Sequence, residues 1–177
     1  GVFFVVPMGR AAGSETLPAD EVERQLEWLA VLGTRVPYDI KTTAAPQFRR
    51  VLLQRKTSQQ DVVGLREVVG DDAIGRVRRG INDGQGVAFV SHVGDIQPSG
   101  FLPVVAGNVR VEGLSATYRT SPVFRTLREP DQLEGSCGSC EFRKVCGGSR
   151  ARAYAATGNF MAEDPACPYE PAAARAS

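Results

Sequence analysis

With 177 residues, the chain has room for one large domain or two small ones. Its composition, 42% hydrophobic and 23% charged, is that of an ordinary globular protein and excludes a disordered or fibrous one. A net charge of +1 leaves neither the basic footprint of a nucleic-acid binder nor an acidic tail, and no apolar run reaches the roughly 20 residues of a transmembrane helix. No nucleic-acid or membrane partner is therefore expected, and the location expected is cytoplasmic.

The chain opens on GVFFVVPM, which lacks a basic flank and a small-residue cleavage site. Residues 1–6 read as a strand buried on both faces, because the apolar run does not alternate. The chain starts on Gly1 with no turn residues ahead of this strand. That reads as a fragment or truncated product, with strand partners expected upstream. The loop PMGRAAGSETLP leads into a predicted helix over 18–32. There Val22, Leu26 and Leu29 recur at helical spacing, Pro18 suits the first turn and Gly33 the stop. Trp28, beside Leu29, reads as core. RVPYDIKTT is the next strand, and strand, helix, strand over this length is the signature of a parallel α/β sheet.

FRRVLLQRK reads as a continuation of the loop, and 57–80 as a polar, poorly periodic connection. A domain boundary is placed near residue 85. Two β-rich runs flanking VGD predict a hairpin. Residues 114–118 and 121–128 read as short helices, the second capped by Ser121 with Pro122 in its first position. SRARAYAATG predicts a helix from Ser149 as N-cap to Gly158 as stop, and the tail from Pro165 reads as loop.

All four cysteines lie in the C-terminal part: Cys137, Cys140, Cys146 and Cys167, spaced Cys-x2-Cys-x5-Cys-x20-Cys. Three chemistries use such a set. Disulfides have three possible connectivities, but a chain with a normal apolar fraction does not need such staples. A structural zinc site would use Cys137-x2-Cys140 as one half, although Cys146 and Cys167 are too far apart to form the matching half. A [4Fe–4S] cluster takes four thiolates. Gly138, Gly147 and Gly148 would let backbone approach inorganic sulfide, and the free N–H groups of the helix after Cys146 would face the anionic cluster. Arg143, Lys144, Arg150 and Arg152 add positive charge, or form an ordinary solvated face.

GSCGSCEFRKVCGGSRARAYAATGNFMAEDPACPYEP resembles the C-terminal end of radical SAM proteins that carry a SPASM or twitch auxiliary-cluster domain. In that family a Cys-x2-Cys-x5-Cys run is followed by Gly-Gly, a helix and a last cysteine after Asp-Pro. Here these are Gly147-Gly148 and Asp164-Pro165-Ala166-Cys167. SHVGDIQPSGFLPVVAGNVR resembles the hairpin that opens the same domain, and LSATYRTSPVFRTLR the short helices that follow. The likeness is greatest to the branch of haem d1 and alternative haem b enzymes, and it covers roughly residues 86–170.

The resemblance implies an α/β fold: residues 1–85 as the last strands and helices of a partial (β/α)6 barrel, and 86–177 as a small β-hairpin plus helix iron–sulfur domain. Cys137, Cys140, Cys146 and Cys167 would ligate one auxiliary [4Fe–4S] cluster, leaving no open iron. Its work would be electron transfer during radical modification of a tetrapyrrole or a peptide, with a donor such as ferredoxin or flavodoxin. Gly9, Arg10, Lys41, Thr42 and Thr43, at the C-terminal ends of barrel strands, would face the cavity for S-adenosylmethionine and substrate, or pack the barrel rim. No Cys-x3-Cys-x2-Cys occurs in the chain. S-adenosylmethionine and a second [4Fe–4S] cluster are thus implied only for a full-length form, and a catalytic residue is not assigned. The reading of another class is a zinc-stabilised interaction module without catalysis, colourless where an iron–sulfur protein is brown.

The only histidine, His92, sits at the hairpin turn and reads as a surface residue. Arg49 and Arg50 offer a bidentate site for a carboxylate such as a propionate, or a solvated basic patch.

Overall fold

The N-terminal part is built on one parallel pairing. Strand β1 (Val2–Phe3) lies beside β2 (Thr42–Thr43), with Val2 opposite Thr42 and Phe3 opposite Thr43. The crossover between them is helix α1 (Ala19–Gly33), as the strand, helix, strand pattern predicts. The structure, a computed structural model, describes residues 1–57 and 81–175, so most of the connection expected over 57–80 falls outside the described residues.

Helix α1 begins after Pro18 and buries Val22, Leu26, Leu29 and Ala30. These four lie on one stripe and each buried leucine contributes about 1.5–3 kcal/mol. Trp28 is not core: it is 57% exposed, because one residue's rotation from Leu29 carries it off the buried stripe. Residues 47–57 are not loop either. They form α2 (Gln47–Thr57), whose Phe48, Val51 and Leu52 pack into the same cluster as Phe4, Leu26 and Leu29. The i, i+3, i+4 spacing of those three residues is the helical signal, partly hidden among six cationic and amide side chains.

The first strand is shorter and more exposed than its apolar run predicts. Phe4 and Val6 are buried, while Phe3 is 50% exposed. Among the described residues β1 pairs only with β2, so a continuous apolar run is left with one open edge. RVPYDIKTT is likewise mostly irregular, with strand only at its end.

The predicted hairpin forms as β3 (Phe89–Val90) and β4 (Asp95–Gln97), antiparallel, with Phe89 opposite Gln97. A third strand, β5 (Gly107–Asn108), adds to β4. Then come α3 (Leu114–Thr120) and α4 (Pro122–Leu127). Pro122 occupies the first turn of α4, but the Ser121 side chain makes no capping bond. Helix α5 (Gly135–Ser139) carries the first cysteine. Helix α6 (Arg150–Thr157) has the predicted ends: the Ser149 side chain accepts the Arg152 N–H, and Gly158 is left-handed at φ +74°. The tail is not wholly loop, since Ala172–Arg175 forms a short helix, α7. The architecture is mixed α/β, with the larger share helical.

Each of two core clusters draws on both parts of the chain. Ala166 packs into the cluster of α1 and α2. Val6 packs with Leu102, Leu127 and Ala151 of α6.

Candidate metal centre

All four cysteines are free thiols, and all four line one cavity of about 140 Å3 together with Arg50 and Tyr169. On the same measure one water needs about 10–15 Å3, so the space is several times wider than a single ion requires. Among the described residues no three His, Cys, Asp or Glu side chains converge closely enough to hold one metal ion.

The cavity is shaped by short, tightly tied backbone. Helix α5 is rich in Gly and Ser, poor helix formers, and is held from outside: Glu163 accepts the Ser136 N–H at 2.9 Å and Glu134 N–H bonds Met161 O at 2.9 Å. Cys137 sits in that helix and Cys140 closes it. A turn then brings Cys146 N–H to Phe142 O at 2.8 Å. Gly147 and Gly148 follow, both left-handed at φ +66° and +61°. A Cβ on Gly148 would stand 3.0 Å from Cys137 Sγ, 2.9 Å from Asp164 Cβ and 2.5 Å from an Arg150 nitrogen. Gly148 thus has the sulfur of a cysteine distant in sequence against the place of its missing side chain. Gly138 is required for a different reason, since a Cβ there would run into the Leu133 carbonyl.

Each sulfur accepts an N–H. Phe142 N donates to Cys140 Sγ and Gly148 N to Cys146 Sγ, both at 3.4 Å, and the Tyr169 N–H serves Cys167. In these three the donor is two residues after the cysteine. Cys137 Sγ accepts from Asp164 N at 3.5 Å and Arg150 Nη2 at 3.6 Å. Such bonds favour thiolate, but burial wins in the metal-free chain. It pushes the Cys146 thiol up to about 12 and Cys167 to about 11, and raises Cys140 as well. Loading a metal group here displaces protons.

In the cavity wall, Asp164 is buried and organises the surroundings. Its carboxylate accepts from Gln47 Nε2 (2.6 Å), Ser149 N (2.7 Å), Arg152 Nε (2.8 Å), Arg152 Nη2 (3.3 Å) and Ala166 N (3.1 Å). Arg152 also bonds Ala44 O at 2.7 Å. Asp83 receives Ala151 N at 2.9 Å and the Ser99 hydroxyl. The N–H groups of Ser149, Ala151 and Arg152 at the start of α6 are thus taken by Asp164, Asp83 and the Ser149 hydroxyl, and do not face an anion as expected.

Neither Arg150 nor Arg152 belongs to a solvated face. Arg150 is buried and donates to Gly148 O, Phe160 O and Ala162 O besides Cys137. Arg143 is half-buried and also lines the cavity, donating to Cys140 O at 3.2 Å and pairing with Asp131 at 2.8 Å, and Lys144 lies 4.0 Å from the same carboxylate. Arg50 is no solvated patch: it is 1% exposed and held by Glu23 at 2.5 and 2.8 Å and by Gln54 at 2.7 Å. It sits 4.6 Å from the Tyr169 ring. Burial opposes its charge, but the Glu23 carboxylate and then Cys167 and Cys146 raise its pKa. Tyr169 donates to Glu141 at 2.5 Å and meets Phe142 edge-on, tying the Cys167 segment to the Cys140 turn.

Gly9 and Arg10 lie in a 3-10 turn and are exposed, as are Lys41 and Thr43, while Thr42 is half-buried. None of them lines the cysteine cavity. His92 is exposed, as expected of a turn residue. Asp164, Asp83, Tyr169 and the wall position of Arg50 escape sequence reasoning. For Asp164 the Asp-Pro-x-Cys setting was a visible marker, but its partner Gln47 is 117 residues away.

No family model matches the chain. An AdoMet-dependent heme synthase of Methanosarcina barkeri is 39% identical over 170 residues, 96% of this chain and 48% of that protein. The chain belongs to the radical SAM/SPASM family. Two relatives with shorter matches agree with that. A pre-heme d1 synthase of Dinoroseobacter shibae is 39% identical over 88 residues, 48% of this chain and 22% of that protein. A PqqA peptide cyclase of Gluconobacter oxydans is 36% identical over 81 residues, 45% of this chain and 22% of that protein. The chain corresponds to the C-terminal part of its radical SAM/SPASM relatives and spans about half the length of the first of them. S-adenosylmethionine and iron–sulfur clusters are general to the radical SAM family. Among the described residues no helix is long and apolar enough to cross a membrane.

Proposed function

We propose that Cys137, Cys140, Cys146 and Cys167 ligate one auxiliary [4Fe–4S] cluster within the C-terminal part of a radical SAM/SPASM oxidoreductase. In this reading residues 1–85 are the end of a partial (β/α)6 barrel and 86–177 the auxiliary-cluster domain. What carries it is the cavity: four thiols around one space wider than a single ion needs, each already receiving an N–H.

When bound, such a group supplies one-electron transfer. The chain's own residues do the rest. Four cysteines fill the four iron positions, so none is left for substrate. The N–H donors of residues 142, 148, 164 and 169 steady the sulfurs and temper their charge. Tyr169 forms part of the wall and is braced by the Phe142 ring. The substrate class is a tetrapyrrole or a peptide, and the name of the relative aligned with 96% of the chain favours the tetrapyrrole. S-adenosylmethionine and a second cluster belong to a full-length form, with a ferredoxin or flavodoxin as electron donor.

Iron, acid-labile sulfide and zinc per chain, measured after anaerobic reconstitution, test this. About four irons and four sulfides, lost in Cys140→Ala, are expected. About one zinc without sulfide would instead make the chain a zinc-stabilised module.

A further inference from the structure

The four cysteines all come from residues 137–167, yet the cavity wall includes a cation from elsewhere in the chain. Arg50 belongs to α2, is 1% exposed and lines the cavity. Its charge is balanced from the side by Glu23 of α1, which grips both terminal nitrogens at 2.8 and 2.5 Å. Two features set this pair apart from an ordinary ion pair. Arg50 Nε is buried and has no hydrogen-bond partner, so the guanidinium is not fully satisfied by the residues around it. The Tyr169 ring also lies 4.6 Å from it, and the Tyr169 N–H serves Cys167. Cation, ring and thiol thus form one contiguous wall.

We infer that Arg50 is a positioning residue that sets the reduction potential of the group held by the four cysteines, and that Glu23 limits its effect. The inference rests on the cluster reading above. Reduction adds one negative charge to the cavity. A buried cation beside it favours the reduced form, because burial weakens solvent screening of its charge. Glu23 pairs with the same guanidinium without itself lining the cavity and offsets part of that charge. The two residues therefore act with opposite sign on the potential, although both serve the same ion pair structurally.

That opposition is the test. The chain is reconstituted anaerobically with ferrous iron and sulfide, and titrated with dithionite under potentiometric control while the electron paramagnetic resonance signal is followed. Arg50→Gln is expected to shift the midpoint to more negative potential and Glu23→Gln to more positive potential. Arg50→Lys, which keeps the charge but loses the fork, stays closer to the parent than Arg50→Gln does. Parent-like midpoints in both neutral variants, or shifts in one direction, would overturn the inference while leaving the cluster in place. If Arg50→Gln does not fold, Glu23→Gln decides: an unshifted midpoint at parental iron content overturns the assignment. A parent chain that takes up no iron and sulfide overturns the cluster reading and this inference together.

Discussion

At the scale of single residues, the cavity depends on what is missing as much as on the thiols. Gly148 has a left-handed backbone and no room for a methyl group, with Cys137 Sγ, Asp164 and Arg150 all crowding its α-carbon. Gly158 is also left-handed, at φ +74°, but has open space around it. Gly148→Ala is therefore expected to abolish metal uptake, read as iron per chain after reconstitution. Gly158→Ala should load normally and lose only about 1 kcal/mol in denaturant unfolding. The thiols make a second prediction. Burial raises Cys146 from 9.0 to about 12, so the folded metal-free chain prefers the neutral thiol more strongly than the unfolded chain does. Its contribution to stability is complete below about pH 9 and is lost as pH rises through 12. Urea midpoints of the metal-free chain should fall across that window, and a Cys146→Ser variant should show a shallower fall.

At the scale of elements, the helices rest on narrow apolar stripes, and one substitution pair separates stripe from surface. Leu26 is fully buried and Trp28 is 57% exposed, two positions apart on α1. Leu26→Ala should cost about 2–5 kcal/mol. Trp28→Ala should stay within about 0.5 kcal/mol, because the larger side chain contributes no core packing. Chemical denaturation of both variants checks this, and equal costs would refute the placement of Trp28. Local signals of this kind were legible in the sequence. The Val22, Leu26, Leu29 stripe, the hairpin around VGD, Ser149 as cap and Gly158 as stop all depend on residues within a few positions of each other. Helix α2 went unread because its apolar stripe is three residues long and set among arginines. Helix α5 went unread because its Gly and Ser residues are helical only through bonds from Glu163 and from the strand of chain near Met161. The roles of Asp164 and Arg50 were illegible for a stronger reason. A buried charge is recognised by its partners, and these are scattered: those of Asp164 lie from 2 to 117 residues away, and the carboxylate that holds Arg50 lies 27 away.

At the scale of the whole molecule, the cysteine-bearing part and the N-terminal helices are joined by buried charge. Arg152 reaches both Asp164 and Ala44 O, and Gln47 reaches the same carboxylate. Arg152→Ala leaves that carboxylate buried without its cation and should cost about 3–5 kcal/mol in unfolding experiments. Because the network touches both parts, the loss should appear in one shared transition, with the core of α1 and the cysteine segment melting together. Two separate transitions would show that the parts fold independently. Asp164 has a further consequence, one of timing. The ribosome delivers Cys137, Cys140 and Cys146 well before Asp164 and Cys167. Until those arrive, Cys137 lacks the Asp164 N–H, Arg152 lacks its carboxylate, and the N–H of Ser149 has nothing to hold it. A nascent chain at that stage offers three loosely held thiols to any thiophilic ion that passes. The site closes only when residues 164–167 have been made, so in the proposed reading ligation by all four thiols is a late event in the life of each molecule.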